Sequence, residues 1–360
     1  MIAEYYQYIY ILIVVIFTII AISEYSQNAL QNLNRVNTSN TILSFCISII
    51  VILFIGYRPL HAIFYDMVVY EANYNSLFLS DFFFDSETDN IIFDNWLSLM
   101  ASIGIPFRTV MIIFSIVYFG AIWFACKRLF PKDTLLALVV YLAAFSTFSY
   151  ATNGVKAGMA ASLFLVALAY HDKKLISVLI ALLTYGMHHS MTLVIVAYFI
   201  VLFIKNPKYY FMIWGFSFLM AALHITWFQH FFAGFTDEHG AGYLLSERNS
   251  GFRIDFIIYS AVPVVVGYYM IYKHKLQSKM YNVILSLYLL TNSVWMLCMY
   301  SDFTNRISYL SWFLYPIVLL YPFVNIYWSN RQYTYLKYVV WGHLGFTLFM
   351  TVIFYGILGL

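Results

Sequence analysis

Charged residues are scarce in this chain of 360 amino acids. Lysine, arginine, aspartate and glutamate make up 10% of it, against roughly a quarter in soluble globular proteins, and 63% of the residues are hydrophobic. The composition lies well outside the range of soluble proteins. It indicates an integral membrane protein instead.

Cysteine pairs and nucleotide-binding motifs are also lacking. Cys46, Cys126 and Cys298 lie within or at the end of apolar segments, without the spacing of a disulfide framework or a metal site. No glycine-rich phosphate-binding loop is present, which argues against an ATP-driven pump. The net charge of +3 is spread over many loops, so nucleic acid is not indicated as a partner.

Long apolar segments are abundant. They approach the ~20 residues that cross a bilayer as a helix and do not alternate like the strands of a membrane barrel. We therefore predict an all-α polytopic fold with about twelve transmembrane helices in a single membrane domain, residues 1–360. The predicted spans are residues 5–22, 41–55, 108–125, 134–151, 156–170, 174–187, 190–204, 209–228, 255–272, 281–299, 305–324 and 335–357. Because the first of them follows Glu4 and no basic residue, we interpret it as a retained span and not as a signal peptide.

The lysines predict the orientation of these spans. Ten of the eleven lysines lie in the odd-numbered loops. Basic loops resist translocation, so these loops are predicted to be cytoplasmic and both termini external. The external side then contains two long segments, residues 56–107 and 229–254. Their aromatic residues predict helices that lie in the membrane interface.

Six cations fall on the predicted external side, and five of them are arginines. They are Arg58, Arg108, Lys156, Arg248, Arg253 and Arg306. The planar guanidinium group binds phosphate through two parallel hydrogen bonds, whereas the orientation loops of this chain prefer lysine. The contrast indicates a site for an anion on the external face.

The first external cluster follows the second predicted span. Arg58 precedes Pro59, which suits the first turn of a short helix, and Asp66 and Tyr70 would share one face of that helix. One interpretation makes Arg58 an anion contact and Asp66 a general base. The other is an interfacial salt bridge with an arginine that extends toward the headgroups.

The second cluster opens the fifth predicted span. Gly154 and Gly158 have the spacing of a close helix contact. Lys156 lies between them, where its ammonium group and the helix amides could hold a phosphate. The alternative is a lysine that extends to the lipid headgroups.

The third cluster is the pair His188 and His189 in a tight external turn. Histidine is the commonest general base, so one of the two could deprotonate an attacking hydroxyl group. The alternative is a polar turn in which Ser190 caps the next helix.

The fourth cluster comprises two arginines that each stand directly before a span. Arg253 and Arg306 are predicted to point into a shared cavity, although Asp255 could simply pair with Arg253. We predict no cofactor and no metal site. A bound divalent cation remains an alternative, because a short acidic run contains Asp85, Glu87 and Asp89. Such a run is more commonly a solvated loop.

In their order and spacing, these motifs resemble the Wzy-type O-antigen and exopolysaccharide polymerases, in particular their EpsG-like branch. The resemblance covers about residues 50–320. It rests on Arg58 with Asp66 and Tyr70, the stretch 153–160, His188 with Ser190, the stretch 251–256, and Asn305 with Arg306. One difference is Lys156, because this position usually carries an arginine in the family.

The resemblance implies a bacterial inner-membrane glycosyltransferase with a glycosyltransferase-C-like helical bundle and an active site that faces the periplasm. Such enzymes transfer a growing glycan from undecaprenyl diphosphate to the terminal sugar of another undecaprenyl-diphosphate-linked repeat unit. The implied partners are lipid-linked oligosaccharides, membrane lipids and a chain-length regulator protein.

The implied site can be written residue by residue. The diphosphate and the glycan would contact Arg58, Lys156, Arg253, Arg306, Tyr70 and His189. His188 is the predicted general base, with Asp66 as the alternative. Cations suit a leaving diphosphate, and an activated donor requires no nucleotide.

Two other classes of function remain open. An O-antigen ligase-like transferase would use a different acceptor. A flippase for lipid-linked oligosaccharides, or another transporter, would typically show repeated halves and broken helices, and we detect neither in the sequence.

Overall fold

The structure, a computed structural model, describes residues 3–29, 38–233, 238–246 and 251–357. The described residues form helices and contain no strand, which confirms the all-α prediction. The α-helices are α1 (Tyr6–Ala29), α2 (Thr38–Gly56), α3 (Tyr65–Ser76), α4 (Ile91–Ser102), α5 (Phe107–Leu129), α6 (Thr134–Leu142), α7 (Phe145–Thr152), α8 (Val155–Ala169), α9 (Lys174–Met187), α10 (Met191–Phe203), α11 (Pro207–Ala222), α12 (Trp227–Ala233), α13 (Glu238–Leu245), α14 (Ile254–Tyr268), α15 (Lys279–Leu297), α16 (Thr304–Trp312), α17 (Tyr315–Val324) and α18 (Gln332–Leu348). Short π-helical turns extend α14 and α18, at Tyr269–Lys273 and Phe349–Ile357.

The predicted spans correspond to helices of the structure. Among the described residues, seven helices are long and apolar enough to cross a membrane, and two bent pairs, α6 with α7 and α11 with α12, raise the number to nine. Three further predicted spans coincide with α8, α9 and α10, which have 13 to 15 residues. These helices are shorter than the ~20 residues of a typical span. A polytopic membrane protein is therefore supported, and the count of twelve crossings stays a prediction.

The chain divides into two compact units. The first comprises Met1–Met191 with Phe323–Leu360, and the second comprises Thr192–Pro322. In the first unit, α8 packs against α5 and α9, α2 packs against α5, and α4 packs against α9. In the second unit, α15 packs against α11, α14 and α16.

The span predicted over residues 134–151 is broken in the structure. α6 and α7 meet at an angle of 72°, although neither proline nor glycine marks the break. A broken helix leaves carbonyl groups without helical partners, which is costly in a membrane unless side chains bind them. Four side chains do so: His343 Nε2 lies 3.1 Å from Val140 O, Thr147 Oγ1 2.7 Å from Tyr141 O, Tyr10 OH 2.8 Å from Leu142 O, and Thr347 Oγ1 2.8 Å from Ala143 O. Side chains of the first unit therefore stabilise the break between α6 and α7.

A buried amide connects four helices of the second unit. Asn292 of α15 accepts a hydrogen bond from Trp214 Nε1 of α11 at 2.8 Å. Its Nδ2 atom donates to Ser260 Oγ of α14 and to Ser311 Oγ of α16, both at 3.0 Å. Trp312 Nε1 also donates to Ser260 Oγ, at 2.8 Å. Polar side chains of this kind join helices that have apolar surroundings on every side.

We expect Asn292→Leu to destabilise the protein by about 2 to 4 kcal/mol, because it removes the acceptor of the Trp214 N–H and one donor to each of two buried hydroxyl groups. Thermal unfolding of the detergent-solubilised protein, followed by tryptophan fluorescence, measures the effect. Asn206→Ala is the control, since the exposed Asn206 only caps α11 and its loss should cost about 1 kcal/mol. Equal losses of thermal stability in the two variants would show that the buried Asn292 amide contributes no more than an exposed helix cap.

Candidate functional site

The two units divide the predicted site residues between them. The first unit contains Arg58, Asp66, Tyr70, Lys156, His188 and His189, and the second contains Arg253 and Arg306. Arg248 lies outside the described residues. The site is therefore built below from the contacts within each unit, and the cavity shared by all four predicted cations stays a prediction.

Arg58 is a fully buried cation. It follows the end of α2, its side chain is 0% exposed, and its Nη1 atom donates to the carbonyl oxygen of Ile55 at 2.8 Å. Its Nε and Nη2 atoms are buried and have no hydrogen-bond partner. Buried donors are almost always satisfied in proteins, and those that are not commonly indicate a missing water molecule, ion or ligand.

A second arginine lies against the first. Arg108, in the first turn of α5, donates from Nη1 to the backbone oxygen of Arg58 at 2.5 Å. Among the described residues, neither arginine forms a salt bridge with a carboxylate. Burial lowers the pKa of Arg58 to about 10; the nearby Tyr6 opposes this shift and Arg108 adds to it. The guanidinium group therefore stays cationic at neutral pH, and this pair of arginines is suited to an anion.

The predicted helix after Arg58 begins later than expected. A single 3-10 turn, Ala62–Phe64, comes first, and the ring of His61 accepts a hydrogen bond from the backbone N–H of Ile63 at 3.3 Å. Asp66 and Tyr70 then lie one turn apart on α3, as predicted. Tyr70 packs against Phe93 of α4, with ring centroids 5.9 Å apart. α3 therefore connects the segment that carries Arg58 to α4.

Lys156 forms an ion pair that the sequence did not reveal. Its Nζ atom lies 2.8 Å from Asp94 Oδ1 of α4, and the two side chains are 15% and 31% exposed. The ammonium group also lies 4.9 Å from the ring centroid of Phe93 and 5.9 Å from that of Tyr70. Lys156 thus contacts the predicted site residue Tyr70 directly, and a carboxylate offsets much of its charge.

Asp94 binds two further polar side chains. Thr88 Oγ1 donates to Asp94 Oδ2 at 2.5 Å, and Asn90 Nδ2 lies 3.4 Å from the same oxygen. Burial opposes the ionisation of Asp94, but the Lys156 ammonium group, the Thr88 hydroxyl and the Asn90 amide together hold the pKa of the carboxyl below its ordinary value. Asp94 is therefore an anion at neutral pH.

The histidine turn is attached to this group of polar residues. The backbone N–H of His189 donates to Asn90 Oδ1 at 3.1 Å. His188 ends α9, and its Nδ1 atom lies 3.2 Å from the Ser190 backbone nitrogen and 2.8 Å from Ser190 Oγ. A backbone N–H can only donate, so Nδ1 is the acceptor and the neutral ring carries its proton on Nε2.

Glycine allows two of these helices to approach their neighbours closely. A Cβ atom on Gly186 of α9 would lie 2.6 Å from Ile92 Cδ1 of α4. A Cβ atom on Gly158 of α8 would lie 2.8 Å from the Tyr150 carbonyl oxygen of α7, which confirms the close packing predicted for Gly158. The two glycines therefore bring α9 close to α4 and α8 close to α7.

The second unit contains the remaining two candidates. Arg253 forms a bidentate salt bridge with Asp255, with Nε–Oδ1 2.9 Å and Nη2–Oδ2 2.6 Å, and its Cζ atom lies 3.6 Å from the Phe256 ring centroid. The pairing considered for Asp255 is thus present. Arg306 Cζ lies 5.0 Å from the ring centroid of Phe303, a residue in the left-handed region with φ of 52°.

The acidic run has the contacts of a local turn. The carboxylate of Asp85 accepts a hydrogen bond from the backbone N–H of Glu87 at 2.9 Å. Within the described ranges, no group of three or more histidine, cysteine or acidic side chains could hold a metal ion. A small cavity lies at the break between α6 and α7, lined in part by Tyr10 and Phe148, and none of the candidate residues lines it.

The helices define a class, namely polytopic helical membrane proteins. The EpsG family model matches residues 41–357, and the chain therefore belongs to the EpsG family. The family indicates a role like that of a polysaccharide polymerase, in polysaccharide biosynthesis. No match was found among the curated proteins or among the solved structures.

Proposed function

We propose that the protein is a polysaccharide polymerase that transfers a growing glycan from undecaprenyl diphosphate to the terminal sugar of a second lipid-linked repeat unit. The reaction would take place on the periplasmic face of the bacterial inner membrane, in a glycosyltransferase-C-like bundle. The observation that carries the proposal is Arg58, a buried guanidinium group with two unpartnered nitrogen atoms next to Arg108. Such a pair suits the diphosphate of the donor.

The charge of the leaving group explains the need for these arginines. The bond between the anomeric carbon and the diphosphate oxygen breaks, and negative charge develops on that oxygen. Arg58 can offer Nε and Nη2 as two parallel donors, and donors placed in advance stabilise such charge strongly. We assign Lys156 to the same anion, with a smaller contribution because Asp94 offsets its charge. Arg253 and Arg306 stay predicted contacts of the substrate, and Asp255 offsets the charge of Arg253.

The acceptor hydroxyl group must lose a proton as it attacks the anomeric carbon. We assign this proton to His188, with Asp66 as the alternative base. Because Nδ1 is the acceptor atom of the neutral ring and lies 2.8 Å from Ser190 Oγ, the proton would pass through the Ser190 hydroxyl group. The serine gives its own proton to Nδ1 and takes one from the acceptor sugar, so its charge does not change.

A transporter of lipid-linked oligosaccharides is the second candidate. The sequence showed no broken helix, but the structure bends at α6–α7 by 72° and at α11–α12 by 113°. Broken helices are common in secondary transporters. The absence of breaks therefore no longer counts against a transporter, and the reaction itself must distinguish the two functions. A ligase-like transferase stays the third candidate.

We expect the purified protein in nanodiscs to convert its lipid-linked repeat unit into a ladder of longer lipid-linked products. Gel electrophoresis with mass spectrometry of the products measures the ladder. Empty nanodiscs are the control. A transporter would move the substrate and form no product, and a ligase would form only single transfer products with a separate acceptor. Either result would contradict the proposal.

A further inference from the structure

Asp94 of the first unit connects Lys156 with the turn that carries His188 and His189. Oδ1 binds Lys156, and Oδ2 binds Thr88 and Asn90. Asn90 in turn binds the backbone of His189, next to His188. The loop before α4 and the start of α8 therefore meet at a single carboxylate, and the turn after α9 is linked to it through Asn90.

We infer that Asp94 is a positioning residue that fixes Lys156 with one oxygen and, through Asn90, the turn that carries His188 with the other. The inference rests on the proposed function, because it gives Asp94 a role in the polymerisation reaction. Asp94 does not need to touch the substrate for this role. One oxygen holds Lys156, and the other holds Asn90, which binds the turn that carries His188.

The donor and acceptor atoms in these contacts determine the orientation of the Asn90 side-chain amide. The N–H of His189 can only donate, so Asn90 must present its oxygen to that group. The Nδ2 atom of the same amide then needs an acceptor, and the Asp94 carboxylate can only accept. Hence the charge of Asp94 fixes which way the amide of Asn90 faces, and with it the anchor of the histidine turn.

The ion pair adds a second requirement for a carboxylate. Lys156 and the pair Thr88 and Asn90 approach opposite oxygens of Asp94, and all three are donors. An asparagine at position 94 has only one acceptor oxygen. It can accept hydrogen bonds on the side of Lys156 or on the side of Thr88 and Asn90, but not on both. A glutamate retains both oxygens with one additional methylene group.

The test uses the chemical reactivity of the side chains in the purified full-length protein. Diethyl pyrocarbonate labels histidine and an N-hydroxysuccinimide ester labels lysine, and mass spectrometry assigns the rates to residues. For Asp94→Asn, we expect labelling of His188, His189 and Lys156 to rise roughly threefold or more, because local opening exposes them. His171, at the other end of α8, and Lys127 should keep their rates.

Two further variants separate the contact of Asp94 with Lys156 from its link to the histidine turn. Asn90→Leu removes the hydrogen bonds that link Asp94 to the histidine turn and leaves the ion pair of Lys156 with Asp94 in place. Only His188 and His189 should therefore react faster. Thr88→Val removes a third contact to the same carboxylate and leaves the contacts of Lys156 and Asn90 in place. It should therefore raise the labelling of the three residues less than Asp94→Asn does. Asn90→Leu also keeps the inference testable if Asp94→Asn fails to fold.

The kinetic readout must follow the labelling. We expect Asp94→Asn to lower the kcat of ladder formation about tenfold or more, Asp94→Glu to restore part of it, and Thr88→Val to lower it less than Asp94→Asn does. A purely structural role predicts lower thermal stability without faster labelling at the turn. Unchanged labelling of His188 and His189 in both Asp94→Asn and Asn90→Leu overturns the inference, as does an equal rise at His171.

Failure of this inference differs from failure of the proposed function. Labelling requires no turnover, so it tests the contacts even if no ladder forms. Normal kcat in Asp94→Asn, with faster labelling, would exclude Asp94 from the reaction while the ladder itself stands. A chain that moves its substrate without forming products would instead contradict the polymerase, whatever the labelling shows.

Discussion

Replacing Arg58 by methionine should reduce polymer formation by about a hundredfold or more and, at the same time, stabilise the protein in the absence of substrate. The two effects have one cause. The guanidinium group is completely buried, and Nε and Nη2 have no partner until an anion arrives. Methionine fills similar space without charge.

The sign of the stability effect follows from the pKa. Burial lowers the pKa of Arg58 below its ordinary value, to about 10, so the folded protein holds this proton less tightly than the unfolded chain does. Below pH 10 the group is charged in both states, and its burial opposes folding throughout that range. The shift corresponds to a cost on the order of 3 kcal/mol, which methionine would remove.

Thermal unfolding without substrate measures the stability, and the product ladder measures polymer formation. A titration with undecaprenyl diphosphate measures the binding of the leaving group, which should weaken. Arg128→Met is the control, because Arg128 pairs with the exposed Asp172 and stacks on Tyr170, with Cζ 4.0 Å from the ring centroid. It should lose a little stability and retain activity. A less stable Arg58→Met protein that still binds the diphosphate would contradict the proposed role of the buried arginine.

Local patterns predicted the parts of the structure that depend on local contacts. The helices over the apolar segments, the shared helix of Asp66 and Tyr70, and the close packing at Gly158 all involve residues that are near in sequence. The pairing of Arg253 with Asp255, two residues apart, belongs to the same group. Periodicity and spacing are sufficient for such contacts.

Contacts between distant segments could not be predicted in this way. The break between α6 and α7 depends on side chains about 200 residues away, since His343 is 203 positions from Val140. Lys156 is 62 positions from its partner Asp94. One signal was available, because Asp94 is a single acid near the start of the apolar helix α4, and acids in such surroundings commonly have a partner or a function.

The second large effect concerns proton transfer. We expect His188→Gln to lower the rate of glycan transfer by roughly a hundredfold to ten-thousandfold, the usual range for the loss of a general base. Glutamine can keep a hydrogen bond to Ser190 but cannot accept a proton. Single-turnover measurements with rapid quenching report the transfer step separately from substrate binding and product release.

Ser190 tests the route of that proton. If the hydroxyl group relays the proton to Nδ1, Ser190→Ala should lose about tenfold or more of the transfer rate, and Ser190→Thr, which retains a hydroxyl group, should recover most of it. If Ser190 only caps α10, both variants should lower stability and leave the transfer rate unchanged. The pair of variants therefore separates a cap from a relay.

Asp66 is the matched comparison for the base. His188→Gln should also remove the acidic limb of the pH–rate profile, because that limb reports protonation of the base in the free enzyme. Asp66→Asn should lower the rate less and leave the limb in place. The reverse pattern is an intact acidic limb in His188→Gln and its loss in Asp66→Asn. That result would assign the role of general base to Asp66. The anion site at Arg58 and Arg108 would be the same in either case, because it acts on the leaving diphosphate and not on the attacking hydroxyl group.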